Sequence, residues 1–400
     1  MSQQKIGAVV LGSDFKALGV IRSLGQRGIP CIVIDNIPRA AWFSRYAIRC
    51  FKWSTRMEDE KFIAFLLNLG KLHHLEQWVL FPTQDEIVEL IACHTAELSQ
   101  VYRLITQDWE IVRWANDKRL TYQMAEEVGV PYPKTVYVTH KDELANLDMP
   151  FPVIIKPAIS VHLQYTTHLK ALPASNAQEL LRQYDCAITS IHPDEVMIQQ
   201  IIPGDGHTQY SIATFCEDGA IKAWMTARRT RQYPIDYGLG SSFVEAIEIP
   251  DLLPLAEKVL GYMRVSGMVE VEFKYDERDK QYKLLDINVR PWGWHALCIP
   301  CGLDFSYIQY CFAIDAPLPA WPTQIDYNHH WVRMLTDVPA GIQEMRAEIT
   351  TLAAYLKSLK GRTAFSVFNW YDPLPMFGDT YIAIKRVLRR KLTKEAKKKE

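Results

Sequence analysis

One segment, at residues 267–293, restricts the fold more than any other part of the chain. Two runs of alternating polar and apolar residues flank a charged turn at residues 276–280, and this pattern predicts a β-hairpin. Because strand side chains alternate between two faces, Glu270 and Glu272 share one face of the first strand. On the second strand, three polar side chains share a face: Asp286, Asn288 and Arg290. The hairpin therefore gathers carboxylates, an amide and a guanidinium.

These residue types predict a metal site for a phosphate-bearing ligand. Mg²⁺ takes oxygen ligands and usually shares them with substrate phosphates, beside which an arginine adds positive charge. The alternative is a solvent-exposed hairpin with ordinary surface charges. Apolar residues at Leu284, Ile287 and Val289 flank the polar positions. They favour a buried or cleft location, and so the metal site.

The first 115 residues alternate short apolar strands with helical segments, which predicts a parallel α/β domain. A strand at residues 7–12 precedes a helix at 17–27 and a second strand at 30–35. Gly12 and Asp35 stand roughly where a dinucleotide-binding fold has its first glycine and its ribose ligand. The spaced glycines of such a fold are missing after Gly12, which disfavours nicotinamide or flavin binding.

From residue 116 the pattern changes to α+β with antiparallel strands. An Asp218-Gly219 turn joins two alternating runs and predicts a hairpin. An apolar strand ends at Lys156, and another covers residues 195–202. The predicted fold class is therefore α/β followed by α+β.

Four ordered motifs resemble the ATP-grasp superfamily. The hairpin resembles its metal-binding signature, and Lys118, opening a helix that ends at a Gly-Val-Pro sequence at 129–131, resembles its first nucleotide lysine. Lys156 resembles the second lysine, and residues 197–204 resemble the strand that contacts adenine. The resemblance covers residues 116 to about 315. It implies four regions: a pre-ATP-grasp domain at 1–115, a small lobe with its linker at 116–195, a metal and catalytic lobe at 196–320, and a helical C-terminal extension with a basic tail at 321–400.

The resemblance also implies ATP and Mg²⁺, or Mn²⁺, as cofactors, and assigns roles to residues. The implied metal ligands are Glu272, Asp286 and Asn288. The implied nucleotide contacts are Lys118, Lys156, Gln199, Gln200, Ile201 and Ile202. Arg290 is expected to contact the transferred phosphoryl group. The sequence departs from the family pattern at the glycine-free loop 158–165, at Asp286 in place of Glu, and at Gln200 in place of Glu.

A cluster of three arginines precedes Gln232, at positions 228, 229 and 231. Because guanidinium groups pair with carboxylates and phosphates, Arg228 and Arg231 are predicted to bind the acceptor substrate or an acyl phosphate. The alternative is a solvated strand end.

Within the superfamily, residues 44–46, 81–86 and 290–295 resemble the carboxylate–amine ligases, a branch that includes D-aspartate ligase and the ATP-binding domain of the carbamoyl-phosphate synthetase large chain. This resemblance implies phosphorylation of a carboxylate to an acyl phosphate, which an amine then attacks. Small-molecule carboxylates and amines are the implied partners. Two alternatives stay open: an enzyme that phosphorylates bicarbonate or carbamate, and a nucleotide-binding regulatory protein without turnover.

Charge is unevenly distributed along the chain. The 45 Lys and Arg residues nearly balance 46 Asp and Glu, which argues against a nucleic-acid partner. Residues 381–400 nevertheless hold nine Lys or Arg and two Glu, on a helix with apolar residues at Ile384, Val387, Leu388 and Leu392. The sequence predicts a cytoplasmic protein. Two alternatives stay open for its basic tail: weak docking on the inner membrane surface or on a protein, and a solvated terminal helix. A homodimer is a further possibility.

Overall fold

The computed structural model describes residues 5–54, 58–159, 171–204, 206–236 and 240–396 of the 400-residue chain. Within these ranges the strands form sheets of five, seven and four strands. The five-stranded sheet is parallel, and the other two are largely antiparallel. The predicted change from α/β to α+β is therefore confirmed.

The parallel sheet is formed by the first 104 residues, in the strand order β3-β2-β1-β4-β5. Its strands are β1 (Ala8–Leu11), β2 (Cys31–Asp35), β3 (Ala47–Lys52), β4 (Val79–Pro82) and β5 (Arg103–Leu104). The helices of this region are α1 (Phe15–Gly25), α2 (Asp59–Leu72), α3 (Asp85–Cys93) and α4 (Thr95–Leu98). Because the chain builds outward from β1 on one side and then from β4 on the other, the strand order reverses between them. Such a reversal leaves a crevice at the carboxyl ends of the two strands.

The turn after β1 is fixed by the last residue of β2. The buried Asp35 carboxylate accepts hydrogen bonds from Ser13 N at 2.7 Å and from Ser13 Oγ at 2.6 Å. Asp14 then caps α1 by accepting from the backbone of Lys16 and Ala17. The carboxylate that a dinucleotide-binding fold would offer to a ribose therefore orders the protein's own backbone.

The four-stranded sheet has the order β6-β9-β7-β8 and follows helices α5 (Trp109–Asn116) and α6 (Lys118–Glu127). Its strands are β6 (Thr135–Tyr137), β7 (Val153–Pro157), β8 (Leu172–Ala174) and β9 (Val196–Gln200), and α7 (Ala177–Ala187) packs on it. The strand β9 pairs with both β6 and β7. Residues 196–200 therefore belong to this small sheet, just past the predicted boundary at residue 195.

The seven-stranded sheet has the order β14-β13-β10-β11-β12-β15-β16. Its first five strands in sequence are β10 (Gln209–Glu217), β11 (Ala220–Tyr233), β12 (Gly240–Ala246), β13 (Gly267–Asp276) and β14 (Gln281–Asn288). Asp218 and Gly219 form the turn between β10 and β11, as predicted. Helix α8 (Leu252–Met263) packs on one face of the sheet, and helix α9 (Phe305–Ala313) packs on the other.

The region after residue 320 is not only helical, which corrects the expectation from sequence. It contains the strands β15 (His329–Val332) and β16 (Arg362–Phe365) besides the helices α10 (Met334–Arg346), α11 (Leu352–Ser358) and α12 (Leu374–Ala396). The strand β15 pairs antiparallel with β12, and β16 pairs parallel with β15. An open sheet edge exposes unpaired backbone groups, and β15 satisfies those of β12.

Arg231 joins the seven-stranded sheet to the C-terminal helices. Its guanidinium forms two hydrogen bonds to the buried Asp337 of α10, from Nε at 2.9 Å and from Nη2 at 3.0 Å. The hydroxyls of Ser242 and Tyr355 also donate to Asp337. Removing one partner of a buried ion pair leaves the other charge uncompensated, so this contact holds the C-terminal region in place.

We expect Asp337→Asn to lower the free energy of unfolding by about 3–5 kcal/mol. Asp185→Asn is the matched control, because Asp185 pairs with Lys141 at an exposed site and such pairs contribute about 0–1 kcal/mol. Urea denaturation followed by circular dichroism measures both changes. Equal stability of the two variants would contradict a joining role for Arg231.

Candidate active site

The hairpin of β13 and β14 places its polar residues opposite one another, as predicted. Glu270 pairs in register with Asn288, and Glu272 pairs with Asp286. A bulge follows Glu272, so Leu284 turns toward the apolar core while Asp286 stays on the polar face. Because of this bulge, β14 contributes Leu284 to the apolar core and Asp286 to the site.

The carboxylates on this face are linked by an amide and an indole. Asn288 Nδ2 donates to Glu270 Oε2 at 3.0 Å and to Glu272 Oε1 at 3.2 Å, and Trp294 Nε1 donates to Glu270 Oε1 at 2.6 Å. Burial, and after it the neighbouring charge of Glu272, raise the pKa of Glu270. This shift favours the uncharged form of Glu270, which repels Glu272 less than the charged form does.

Three cations surround the carboxylates. Lys118 Nζ lies 2.6 Å from Asp286 Oδ1, and Arg229 Nη2 lies 3.1 Å from Glu272 Oε2. Burial disfavours the ammonium of Lys118, but the charge of Asp286, the hydrogen bond to it and the nearby Tyr122 and Glu272 together outweigh burial and raise the lysine pKa. Arg290 Nε and Nη2 each lie 2.6 Å from an oxygen of Asp85, the first residue of α3. Helix α3 of the N-terminal region thus contributes Asp85 as the partner of Arg290.

The predicted nucleotide residues lie on the small sheet and next to it. Lys156 Nζ donates to Gln199 Oε1 at 2.9 Å, and the Gln199 amide donates to Tyr122 and Thr135. The Gln199 side chain is therefore engaged inside the protein. The remaining residues of the predicted hinge are Gln200, which ends β9, and Ile201 and Ile202, which follow it.

The arginine cluster divides between separate environments. Arg228 pairs with Glu245 at 2.7 Å, and Arg231 pairs with Asp337, whereas Arg229 contacts the Glu272 carboxylate. Arg228 and Arg231 were the two arginines predicted to bind substrate, and the structure does not bring either into contact with the hairpin carboxylates.

Consecutive residues of a strand point to opposite faces, so the side chains of Arg228 and Arg229 lie on different faces of the sheet. If the sequence had shown which face lies beside Glu272, it would have predicted Arg229 as the site residue. Trp294 and Asp85 were also missed, since both contacts depend on distant segments.

The donor set fits a metal that arrives with a phosphate ligand. In the described ranges, no three Asp, Glu, His or Cys side chains are arranged to hold an ion by themselves. Glu272, Asp286 and Asn288 do converge, and a half-turn of the Asn288 amide would present its oxygen in place of its nitrogen. Mg²⁺ is commonly held by one or two carboxylates together with substrate phosphates. The loop 158–165, which departs from the family pattern, lies outside the described residues from position 160 onward.

Comparison with known proteins supports the resemblance. The chain is 26% identical to D-aspartate ligase from Enterococcus faecium over 303 residues, which cover 70% of each chain. It is 23% identical over 197 residues to the carbamoyl phosphate synthase large chain from Clostridium acetobutylicum, covering 47% of this chain and 18% of the relative. No protein-family model matches the chain.

A solved structure shows the same fold. The biotin carboxylase domain dimer of Hydrogenobacter thermophilus 2-oxoglutarate carboxylase, in complex with MgADP, ADP and bicarbonate, matches with a TM-score of 0.64 and 16% identity, over 82% of this chain and 74% of that one. The chain therefore has the ATP-grasp fold. Its sequence is similar to ligases of the carboxylate–amine class in that superfamily.

We expect Glu272→Gln to weaken Mn²⁺ binding in the presence of ADP by about tenfold or more, because it removes a charged oxygen ligand. The loss of the free-Mn²⁺ electron paramagnetic resonance signal measures the affinity. Glu277→Gln, in the exposed turn of the same hairpin, is the control. Equal Mn²⁺ affinity of the two variants would exclude Glu272 as a ligand.

Proposed function

We propose that the protein is an ATP- and Mg²⁺-dependent ligase that joins a carboxylate to an amine. The observation that carries this proposal is the register of β13 and β14, which brings Glu272, Asp286 and Asn288 together beside Lys118 and near Arg290. A triphosphate requires both a metal and organic cations at its reacting end. The similarity to D-aspartate ligase supports the carboxylate–amine class.

In this proposal the side chains of the protein bind and orient the charged groups of the nucleotide and the metal. Glu272, Asp286 and Asn288 hold the metal, which supplies positive charge at the phosphoryl oxygens when bound. Lys118 and Lys156 exchange their present partners, Asp286 and Gln199, for phosphate oxygens. The adenine is placed along the end of β9 by the backbone of Gln199, Gln200, Ile201 and Ile202.

The reaction has two balanced steps. A carboxylate oxygen attacks the γ-phosphorus, the bond to the β–γ bridging oxygen breaks, and ADP leaves behind an acyl phosphate. The amine nitrogen then attacks the acyl carbon, phosphate departs, and the nitrogen loses its proton. Arg290 and Arg229 lie beside the carboxylate cluster and are placed to stabilise the charge on the transferred group.

A second candidate uses the same site to phosphorylate bicarbonate or carbamate. The similarity to the carbamoyl phosphate synthase large chain and the fold shared with a bicarbonate-bound domain favour it. This candidate can be distinguished from the ligase by experiment, because bicarbonate alone would stimulate ADP formation without an amine.

A regulatory protein without turnover is disfavoured, since Lys118, Asp286 and Asn288 are all present and in place.

We expect pools of amino acids to stimulate phosphate release from ATP, and single carboxylate–amine pairs to account for the stimulation. Asn288→Ala should reduce the stimulated rate at least about a hundredfold, because it disturbs the metal site. Glu277→Gln should not. ATP binding without release in every pool and with bicarbonate would favour the regulatory protein instead.

We further propose that helix α12 docks on an anionic membrane surface. Five apolar residues at helical spacing are each at least 55% exposed: Leu374, Phe377, Tyr381, Ile384 and Leu388. A neighbouring side of the helix packs on the protein, where Gly378 lies against Phe43. Aromatic and aliphatic residues on one face, with many basic residues in the same helix, are typical of helices that lie in a membrane interface. No helix in the described ranges combines the length and apolar content needed to cross a membrane.

We expect Phe377→Ser with Ile384→Ser to reduce co-sedimentation with phosphatidylserine vesicles about tenfold, because apolar area is lost from the docking face. Ile48→Ser with Leu72→Ser, two exposed apolar residues elsewhere, is the control. Unchanged sedimentation of the first variant would contradict the proposal. A dimer that this variant dissociates in the absence of vesicles would assign the face to a second copy of the chain.

A further inference from the structure

The guanidinium of Arg229 is held by side chains from three neighbouring strands. Its Nε donates to Ser241 Oγ at 2.8 Å, its Nη1 donates to Gln209 Oε1 at 2.8 Å, and its Nη2 lies 3.1 Å from Glu272 Oε2. These partners lie on β12, β10 and β13, whereas Arg229 lies on β11. Each guanidinium nitrogen therefore has a partner from a different strand.

The pairing of the strands explains why these side chains meet. Gln209 is the register partner of Arg229 in the pairing of β10 with β11. The pairing of β11 with β12 is irregular at two places between Arg229 and Gln232. Irregular pairing bends a strand and changes the direction of its side chains. Ser241 thereby reaches Arg229, although its own register partner is Gln232.

The three partners of Arg229 differ in charge. The serine hydroxyl and the glutamine carbonyl are neutral acceptors, whereas Glu272 is an acidic residue and one of the proposed metal ligands. Arg290 differs from Arg229 in this respect, because its carboxylate partner, Asp85, is not a proposed metal ligand. A metal at Glu272 would therefore compete with Arg229 for its charged partner and leave the partner of Arg290 unaffected.

The two neutral contacts do not depend on Glu272. They would keep the guanidinium in place when Nη2 loses the carboxylate. The Arg229 side chain is only 13% exposed, so it has little room to turn away from the site. Donors that are already fixed stabilise developing charge most effectively, because they need no rearrangement during the reaction. Nη2 would then be available to an oxygen other than that of Glu272.

We propose that Gln209 and Ser241 are positioning residues that hold Arg229 while it exchanges Glu272 for an oxygen of the transferred phosphoryl group. This inference rests on the proposed ligase function, because it requires a metal at Glu272 and a phosphoryl group beside it. Glu272 turns its charge to the metal, and Nη2 of Arg229 donates to the phosphoryl oxygen instead. A lysine would not serve here, since the planar guanidinium fixes the directions of its donors and an ammonium does not.

Isothermal titration of the full chain with ADP and Mg²⁺, with and without aluminium fluoride, tests this inference. Aluminium fluoride imitates the planar phosphoryl group during transfer, so it should tighten ADP binding to the unmodified protein. Ser241→Ala and Gln209→Ala should each reduce this tightening about tenfold, because each removes a hydrogen bond to a charged group. Their affinity for ADP with Mg²⁺ alone should stay unchanged, which shows that the nucleotide site is intact.

Ser358→Ala is the matched control. The Ser358 hydroxyl accepts from Arg231 Nη1 at 2.9 Å, but that arginine pairs with Asp337 and not with the hairpin. The control should keep the full tightening. Arg229→Lys should lose it, because the charge alone does not reproduce the fixed donors.

Chemical rescue separates positioning from a general structural effect. Arg229→Ala should lose the tightening and regain part of it when guanidinium chloride is added at a non-denaturing concentration. The regained part should vanish when Gln209 and Ser241 are also replaced by alanine, because these two side chains would hold the added guanidinium. Rescue that persists without both side chains would overturn the inference.

The remaining outcomes separate this inference from the ligase proposal. Equal tightening in Ser241→Ala, Gln209→Ala and Ser358→Ala would overturn the inference, as would full tightening in Arg229→Lys or none in the unmodified protein. Turnover with amino-acid pools tests the ligase proposal independently. Tightening that depends on Gln209 and Ser241, without turnover in any pool, would support the inference and count against the ligase.

Discussion

The antiparallel register between β13 and β14 is the constraint on which the site depends. A slip of one residue would turn every side chain of one strand to the opposite face, so Glu272 and Asp286 would no longer meet. The apolar face of the same hairpin prevents this slip, because Val271 and Phe273 pack into the core with α8. Packing on one face therefore determines the position of oxygen ligands on the other.

The site is electrically balanced before any ligand binds. Lys118 pairs with Asp286, Arg229 pairs with Glu272, and burial favours the uncharged form of Glu270. Such pairing keeps several buried charges compatible with a stable fold. It also means that a nucleotide and its metal replace existing contacts, so binding is an exchange among partially buried charges.

Local patterns in the sequence predicted much of this arrangement. Alternation predicted the hairpin, and the residues around Lys118 predicted its place at the start of a helix. The choice among Arg228, Arg229 and Arg231 required knowing that β10 pairs with both β11 and β13, which no local pattern contains. The strands β15 and β16 escaped prediction for a related reason, because they are short and owe their pairing to the edge of β12.

The ion pair between Arg290 and Asp85 has a kinetic consequence. Two bonds of 2.6 Å hold the guanidinium to the first turn of α3, so an incoming anion does not meet an unoccupied cation. Capture must proceed through displacement of Asp85, whose side chain is 44% exposed and can turn to solvent. Screening by salt weakens the ion pair and the incoming contact alike. The association rate at this arginine should therefore depend on ionic strength less than that of an open, electrostatically steered site.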